Sequence, residues 1–590
     1  MLGIWVELEG GCGLRPASCC WTEANFSAER KNCLMMMMTC WGFTIAEDDY
    51  SDVEELIDHF EGEMIDHIGI WRQCNLKVLI VSNSYLDGEM IGRSTNASIC
   101  SQYALEVLDL SGNELSGSIP KSLGRLTRLR ELHLASNTLK GPIPKSLGRL
   151  RFLDILDLSF NQIDGPIPTF LGQLTELHLS YNHLNCSIPE SFGSLVSLKH
   201  LNLEFNELTG PIPTSLGRLA TLKTLSLSSN LLNGTIPPPI GQLTKLDFLD
   251  VSNNSLEGVV FEAHFSNLSM LKYLDLSSNM NLTFNVSRDW IPPFQLRTIR
   301  LGSCNNSDDF PTWFQTQKKL DELVLSNASI FGPLPAWLRH MPIISVLDLS
   351  HNKLTGPLKN LPFGDPLNRL YLQNNLFNGL IPRSLCTRTG LEILDLSKNR
   401  LTGKLPNCLM NLQNLGMMIF SSNGLSGVIP SFSGQVSPVL SWLNLNNNNF
   451  TGELPQDLGK LHALRVLDLG DNKFFGKIPE WIGEKLTSLM VLRLHKNNFS
   501  GRIPQSLCKN SYLQILDIAH NNLTGQIPHC FGELHGMVEA SKEDIRNGSN
   551  SGSDENVSQM KNNATDKEAN TFTITMQRYL RVSRAYGREA

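Results

Sequence analysis

The chain has 590 residues, 18% of them charged, and its formal net charge is −7. That mild balance excludes a phosphate-driven nucleic-acid binder, which needs a clustered basic face. The length ordinarily means several globular domains, but repeat chains grow in one dimension, so self-similarity has to be tested first.

Residues 1–73 read as an irregular N-terminal region. The stretch Cys33–Ala46 (CLMMMMTCWGFTIA) follows Arg30 and Lys31. It has the length and flank of a signal-peptide core but lies too far inside the chain, which points to a misassigned start. Residues 47–67 are acidic and carry Val53, Leu56, Ile57 and Phe60 at helical spacing. His59 and His67, near Glu61, Glu63 and Asp66, form the one His/carboxylate cluster. It reads as solvated surface; no metal and no cofactor is expected.

Residues 74–535 repeat. LEVLDLSGN (Leu105–Asn113) recurs as LRELHLASN, LDILDLSFN, LKTLSLSSN, LEILDLSKN and LQILDIAHN. The closing Asn of each copy runs Asn113, Asn137, Asn161, Asn182, Asn206, Asn230, Asn254 and Asn279, then Asn352, Asn375, Asn399, Asn423, Asn448, Asn472, Asn497 and Asn521. Adjacent steps are mostly 24, with 21, 23 and 25 as exceptions. Cys304 and Ala328 hold the Asn place in two irregular copies, giving 18, and an imperfect nineteenth begins at Leu76.

Each position has a physical task. The Leu–x–Leu pair puts both leucines inward and the residues between them outward, as in a short strand. One such strand cannot bury its apolar face; many stacked in parallel make one continuous core. An Asn amide carries donors and an acceptor, so a column of Asn can satisfy the backbone groups inside each bend. The second half of a copy reads Leu-x-Gly-x-Ile-Pro, where Gly permits unusual backbone angles and Pro stiffens the return. Amphipathic helices do not account for a 24-residue period with Asn and Gly-x-Ile-Pro at fixed phase. The expected fold is an α/β-type repeat solenoid with a parallel concave β-sheet and short 3-10 or irregular convex segments.

Cysteine phase adds a constraint. Cys386 and Cys508 lie 11 residues after a closing Asn, and Cys408 and Cys530 lie 9 after the next. Similar phases in adjacent coils stack within disulfide reach, so bridges Cys386–Cys408 and Cys508–Cys530 are expected; buried free thiols are the alternative. Sixteen Asn-x-Ser/Thr sequons occur, among them Asn96, Asn233, Asn267, Asn285, Asn449, Asn498 and Asn522. Together with the bridges they favour the secretory route.

The residues between the leucines should form the concave face, a broad surface suited to large ligands. The residue before the closing Asn is Phe160, Tyr181 and Phe205 in three successive copies. These are candidate ligand anchors; mutual packing at a loop edge is the plainer reading. His178, His200 and Tyr371 are further concave candidates, with His133 nearby. An acidic column, Asp109, Asp157, Asp250, Asp275, Asp348, Asp395, Asp468 and Asp517, is expected to hydrogen-bond to neighbouring coils. The segment SRDWIPPFQ interrupts the repeat and marks either a change of curvature, a partner-binding segment or tolerated irregularity.

The LxGxIPxxLGxL copies resemble the plant-specific leucine-rich repeat. CNLKVLIVS (Cys74–Ser82), EAHFSNLSMLKYLDLSSN (Glu262–Asn279), FNVSRDWIPPFQLRTIRLGSC (Phe284–Cys304) and FPTWFQTQKKLDELVLSNASI (Phe310–Ile330) resemble plant receptor-like proteins of the fungal-xylanase-receptor group, the receptors of ethylene-inducing xylanase. The resemblance implies a plant-type superhelix outside the plasma membrane, an island insertion, a few more repeats, one transmembrane helix and signalling through partner receptor kinases. It also implies a protein or peptide ligand, in defence or development. The family's cap motif is echoed only by Cys19-Cys20-Trp21. Residues 536–590 are polar and island-like, without post-island repeats or a membrane anchor; a shortened chain, or a secreted decoy form, is expected. No phosphate loop, kinase set, nucleophile elbow or paired Cys-x-x-Cys is found, so the chain reads as no enzyme. A receptor-type module is favoured over a secreted inhibitor of a wall-degrading enzyme, with a non-functional product as a third reading.

Overall fold

The computed structural model describes residues 5–8 and 74–533, apart from 91–101, 170–172, 307–309, 342–343, 363–366 and 432–436. The cluster around His59 and the helical spacing over residues 47–67 lie outside the described residues.

Each coil contributes one short strand to a single sheet of twenty strands. Nineteen of them, from Leu76–Ile80 to Ile515–Asp517, run parallel in chain order. The register is uniform: Leu108 faces Leu132, and Leu132 faces Leu156. These middle leucines are fully buried. The side chains on either side of them point to the opposite, concave face because strand side chains alternate. The twentieth strand is Trp5–Leu8, which pairs antiparallel with Leu76–Ile80. It closes the N-terminal edge of the sheet, within a region that shows no repeat.

After each strand the chain turns and runs through a second, shorter strand on the flank. These flank strands form sheets of two, three, five and nine strands. The Leu-x-Gly-x-Ile-Pro glycine sits here with positive φ, 77° at Gly117, a conformation that costs most residues about 1 kcal/mol or more. A 3-10 segment then crosses the convex side, as in Lys121–Arg125 after Pro120. Its glycine has a different task. A Cβ on Gly124 would collide with the backbone of Ser146 in the next coil, so this glycine sets how closely coils stack.

The ladder asparagines tie each coil to the one before it. The Asn137 amide Nδ2 donates to the carbonyls of Leu134 (3.1 Å) and Ala135 (3.2 Å) in its own coil and of Leu110 (3.0 Å) in the preceding one. Its Oδ1 accepts the Leu115 N–H at 3.0 Å. One buried side chain thereby engages four backbone groups, and for the Leu115 N–H it is the sole acceptor.

Where Cys304 and Ala328 replace Asn, the ladder fails. The Cys304 thiol keeps one bond, to the Leu276 carbonyl, and Ala328 offers none through its side chain. Aromatic packing compensates. Trp290 and Phe294 of the interrupting segment meet Phe265 and Trp313 at centroid distances of 5.3 to 6.5 Å. Phe265, Phe294 and Trp313 are almost fully buried. The SRDWIPPFQ segment is thus a packing element, with its aromatic side chains turned into the solenoid.

Neighbouring convex segments are also stapled. Cys386 bonds Cys408 with Cα atoms 5.6 Å apart, and Cys508 bonds Cys530 with 5.8 Å. Cys74 is disulfide-bonded as well. Among the described residues the free thiols are Cys304, buried, and Cys186, exposed, and no helix is long and apolar enough to cross a membrane.

The ladder predicts a cost at any regular rung. Asn230 donates three backbone bonds and accepts one. Replacing it with Ala leaves the Leu208 N–H buried without its acceptor and takes one donor from each of three carbonyls, and stability should fall by about 1–3 kcal/mol in denaturant unfolding. A loss below about 0.5 kcal/mol, the scatter of neutral surface changes, would show that the rungs are dispensable.

Candidate binding surface

The outward residues of each strand fall into two columns that run the length of the concave face. Their chemistry changes by sector. In the first coils the columns are polar and charged except at Ile155: Glu131 and His133, then Ile155 and Asp157, Glu176 and His178, His200 and Asn202.

In the middle sector Phe248 and Tyr273 stack at 4.2 Å, and the Arg300 guanidinium lies over the Tyr273 ring at 5.7 Å. Two bonds to Glu322, Nε to Oε1 at 3.0 Å and Nη2 to Oε2 at 3.1 Å, hold that guanidinium, with Asp275 3.6 Å away. Toward the C-terminal coils the first column turns apolar: Met417, Trp442, Val466, Val491 and Ile515 in successive strands. With Ile419 and Met490 they form a second hydrophobic cluster, separate from the core. None of the middle or C-terminal first-column residues was singled out from sequence. Reading the residue before the middle leucine copy by copy would have exposed the column.

Phe160, Tyr181 and Phe205 do come together, but not on the sheet. Each follows its strand, in a turn with φ of 54°, 55° and 52°. They therefore stand on the rim that borders the concave face. Their rings stack in sequence at 4.2 and 4.3 Å, nearly parallel. Phe160 remains 50% exposed and Phe205 45%. In other coils this left-handed place holds small or polar residues such as Ser136, Ser229, Asn253 and Asn374. An aromatic there costs about 1–2 kcal/mol of backbone strain, and each stacked pair returns about 0.5–1.5 kcal/mol. Three strained rings in a row, the outer two exposed and the middle one half-buried, mark the rim as a candidate anchor site.

The other candidates are dispersed. His178 is third in its strand and His200 first, so they lie in different columns; His178 faces Asn202 and His200 faces Glu176. The His200 Nδ1 is 3.0 Å from the Thr224 hydroxyl, and the His178 Nε2 is 3.4 Å from Glu176. Tyr371 lies between Asp348 and Asp395 in the second column. Asn233, Asn267, Asn285, Asn449, Asn498 and Asn522 are all exposed, and Asn96 lies outside the described residues.

The acidic column corrects one expectation. The best-defined bonds of its carboxylates lie within their own coil, although Asp517 also meets His495 of the preceding coil at 3.1 Å and Asp275 meets Arg300 of the next at 3.6 Å. The Asp109 Oδ1 accepts the Ser111 N–H at 2.9 Å and the Ser111 hydroxyl at 2.6 Å. The same pair recurs at Asp250 with Ser252 and Asp395 with Ser397. The role is to close the turn after the strand. Asn202 and Asn444 occupy the same place and accept the equivalent N–H at 3.0 Å, so the turn needs an acceptor oxygen and no charge.

Burial pushes the Asp250 carboxyl up to about 6, with the neighbouring Asp275 charge adding to it, and burial likewise raises Asp395 to about 6. For Asp250 the ordinary value is 3.8, so between about 4 and 6 the folded protein holds a proton that the unfolded chain has lost. Stability from this site is full below that window and declines as pH rises through it. Asp250→Asn should remove the decline: relative to the parent protein it should gain about 2 kcal/mol between pH 4 and pH 7. Parallel unfolding curves across that range would contradict the assignment.

Known proteins share this architecture. Residues 90–363 match the family described as leucine-rich repeat region, and five further stretches between 390 and 534 match the leucine rich repeat. The tomato Receptor-like protein EIX2 is 37% identical over 186 residues, 27% of this chain and 18% of that protein. Tomato Receptor-like protein EIX1 is 41% identical over 125 residues, 21% of this chain and 12% of that protein. The aligned segments thus span less than a fifth of either relative. The ectodomain of the Arabidopsis receptor kinase HAESA, solved with the peptide hormone IDA and the co-receptor SERK1, superposes with a TM-score of 0.62 at 31% identity, covering 78% of this chain and 81% of that one. The Arabidopsis GASSHO1/SCHENGEN3 ectodomain, solved with CASPARIAN STRIP INTEGRITY FACTOR 2, gives 0.64 at 29% identity, covering 77% and 60%. The matched parts of these relatives are leucine-rich-repeat regions, which are non-enzymatic binding modules. The chain belongs to the leucine-rich-repeat proteins, and within them it resembles plant receptor-like proteins of the xylanase-receptor group.

Proposed function

We propose that the chain is the extracellular recognition domain of a plant cell-surface receptor-like protein. It binds a protein or peptide ligand, pathogen-derived or endogenous, and signals through partner receptor kinases in defence or development. Residues 74–535 form the recognition solenoid between an N-terminal region, 1–73, and an island-like tail, 536–590. The full-length protein is anchored with this domain on the outer side of the plasma membrane.

The observation that carries the proposal is the concave face itself: nineteen parallel strands whose outward columns change from polar to aromatic to apolar along one continuous surface. Such a surface suits an extended ligand that meets many coils in turn. The HAESA ectodomain, of the same architecture, is described in complex with a peptide hormone and a co-receptor, which supports both ligand class and partner type.

The test is to display the secreted protein against fractionated plant and fungal secreted peptides and measure affinity for each that binds. Replacing Phe160, Tyr181 and Phe205 together by Ser, the residue of the flanking coils at Ser136 and Ser229, should weaken binding about 10- to 100-fold with the thermal midpoint nearly unchanged. Undiminished affinity would remove the rim from the site. Inhibition of a wall-degrading enzyme by the isolated protein, with no kinase recruited, would instead favour a secreted inhibitor.

A further inference from the structure

The flank sheets carry exposed apolar side chains that neither the core nor the concave face explains. Phe475 is 48% exposed and Leu231 56%. Each stands beside an exposed asparagine that heads a sequon. Phe475 is the register partner of Asn498 in the adjacent parallel strand, and both point to solvent. Parallel neighbours are about 4.8 Å apart, so a group on one amide lies against the other's ring. Leu231 and Asn233 share the strand Leu231–Gly234 and, two residues apart, the same face.

The amides of these two asparagines are unengaged, unlike those of two sequons at the rim. Asn253 and Asn327 also head sequons, but their Nδ2 groups donate to serine hydroxyls of the preceding coil at 3.2 Å. Large apolar side chains left in water on a secreted protein are association sites unless something covers them.

We infer that Asn498 and Asn233 are N-glycosylated and that the proximal sugar of each glycan lies over its apolar neighbour, Phe475 and Leu231, shielding the flank. The inference rests on the extracellular reading above. The amide nitrogen attacks C1 of a lipid-diphosphate-linked oligosaccharide; the N–C1 bond forms, the C1–O bond to diphosphate breaks, and the amide loses one proton to solvent. A sugar presents a face of C–H groups that packs on an aliphatic or aromatic surface while its hydroxyls stay wet, so the glycan hides apolar area without adding any.

The experiment uses the full chain secreted from plant cells. Peptide mapping reads occupancy at each sequon, and an apolar-surface dye reads exposure. Asn498 and Asn233 should be occupied. Trimming the folded glycoprotein to single proximal sugars should leave dye fluorescence unchanged, and complete removal by an amidase should raise it on the order of twofold or more. Asn498→Gln should raise it too, and adding Phe475→Thr should return it to the starting level. Asn449→Gln should leave it unchanged, because Asn449 pairs with Ser426. Absence of glycan at every sequon would overturn the extracellular reading together with this inference. Occupancy at Asn449 with Asn498 and Asn233 bare would overturn the inference alone. So would occupied sites whose complete deglycosylation leaves the dye signal flat.

Discussion

Everything in this molecule depends on a carboxamide that reaches backward. A ladder Asn satisfies the turn of its own coil and takes hold of the coil before it, through one accepted and one donated bond. Leucines supply the driving force for burial, but burial is non-directional. The directional bonds fix the interval between coils and keep the strands in register, and that register lines up the outward columns. A surface of ordered columns is therefore a by-product of solving a backbone problem once per coil.

The same constraint explains which positions are free to carry function. Inward leucines, ladder asparagines and stacking glycines are committed. What remains are two strand positions, the rim position and the flank. The rim is the most telling of these, because its backbone is left-handed. Residues there are chosen against strain, and small or polar side chains tolerate it best. Three aromatic rings in succession run against that preference and stabilise one another by stacking.

Much of the fold was legible because the physical requirements recur at fixed phase. Leucine alternation announced the strands, Asn the coil-to-coil bonds, and cysteines at matched phase the Cys386–Cys408 and Cys508–Cys530 bridges. The strand Trp5–Leu8 was not legible, since it pairs with a segment far along the chain and no period signals it. The neighbouring-coil bonds expected of the acidic column appear at Asp275 and Asp517, but its recurring partner, the serine two residues on, was missed. For Phe160, Tyr181 and Phe205 the plainer reading, mutual packing at a loop edge, agrees with the stacked rim; a place on the concave face was the other, because spacing shows a residue's place in a copy but not the sign of its φ. The apolar column near Trp442 escaped notice because concave positions vary from copy to copy, and only register shows which of them are neighbours.

The two rungs lost at Cys304 and Ala328 divide the solenoid in a way that length alone does not. On either side, hydrogen bonds pass from coil to coil without a gap, so each side unfolds as a cooperative unit with nearest-neighbour coupling. Between them the backbone bonds of the sheet continue, and packed rings stand in for the lost side-chain rungs. Apolar packing weakens on cooling, because its free energy is largely entropic near room temperature, whereas hydrogen bonds do not share that temperature dependence. The joint at Cys304 and Ala328 therefore leans more on apolar packing than the coils that flank it, and its stiffness follows the temperature of the tissue more closely than theirs.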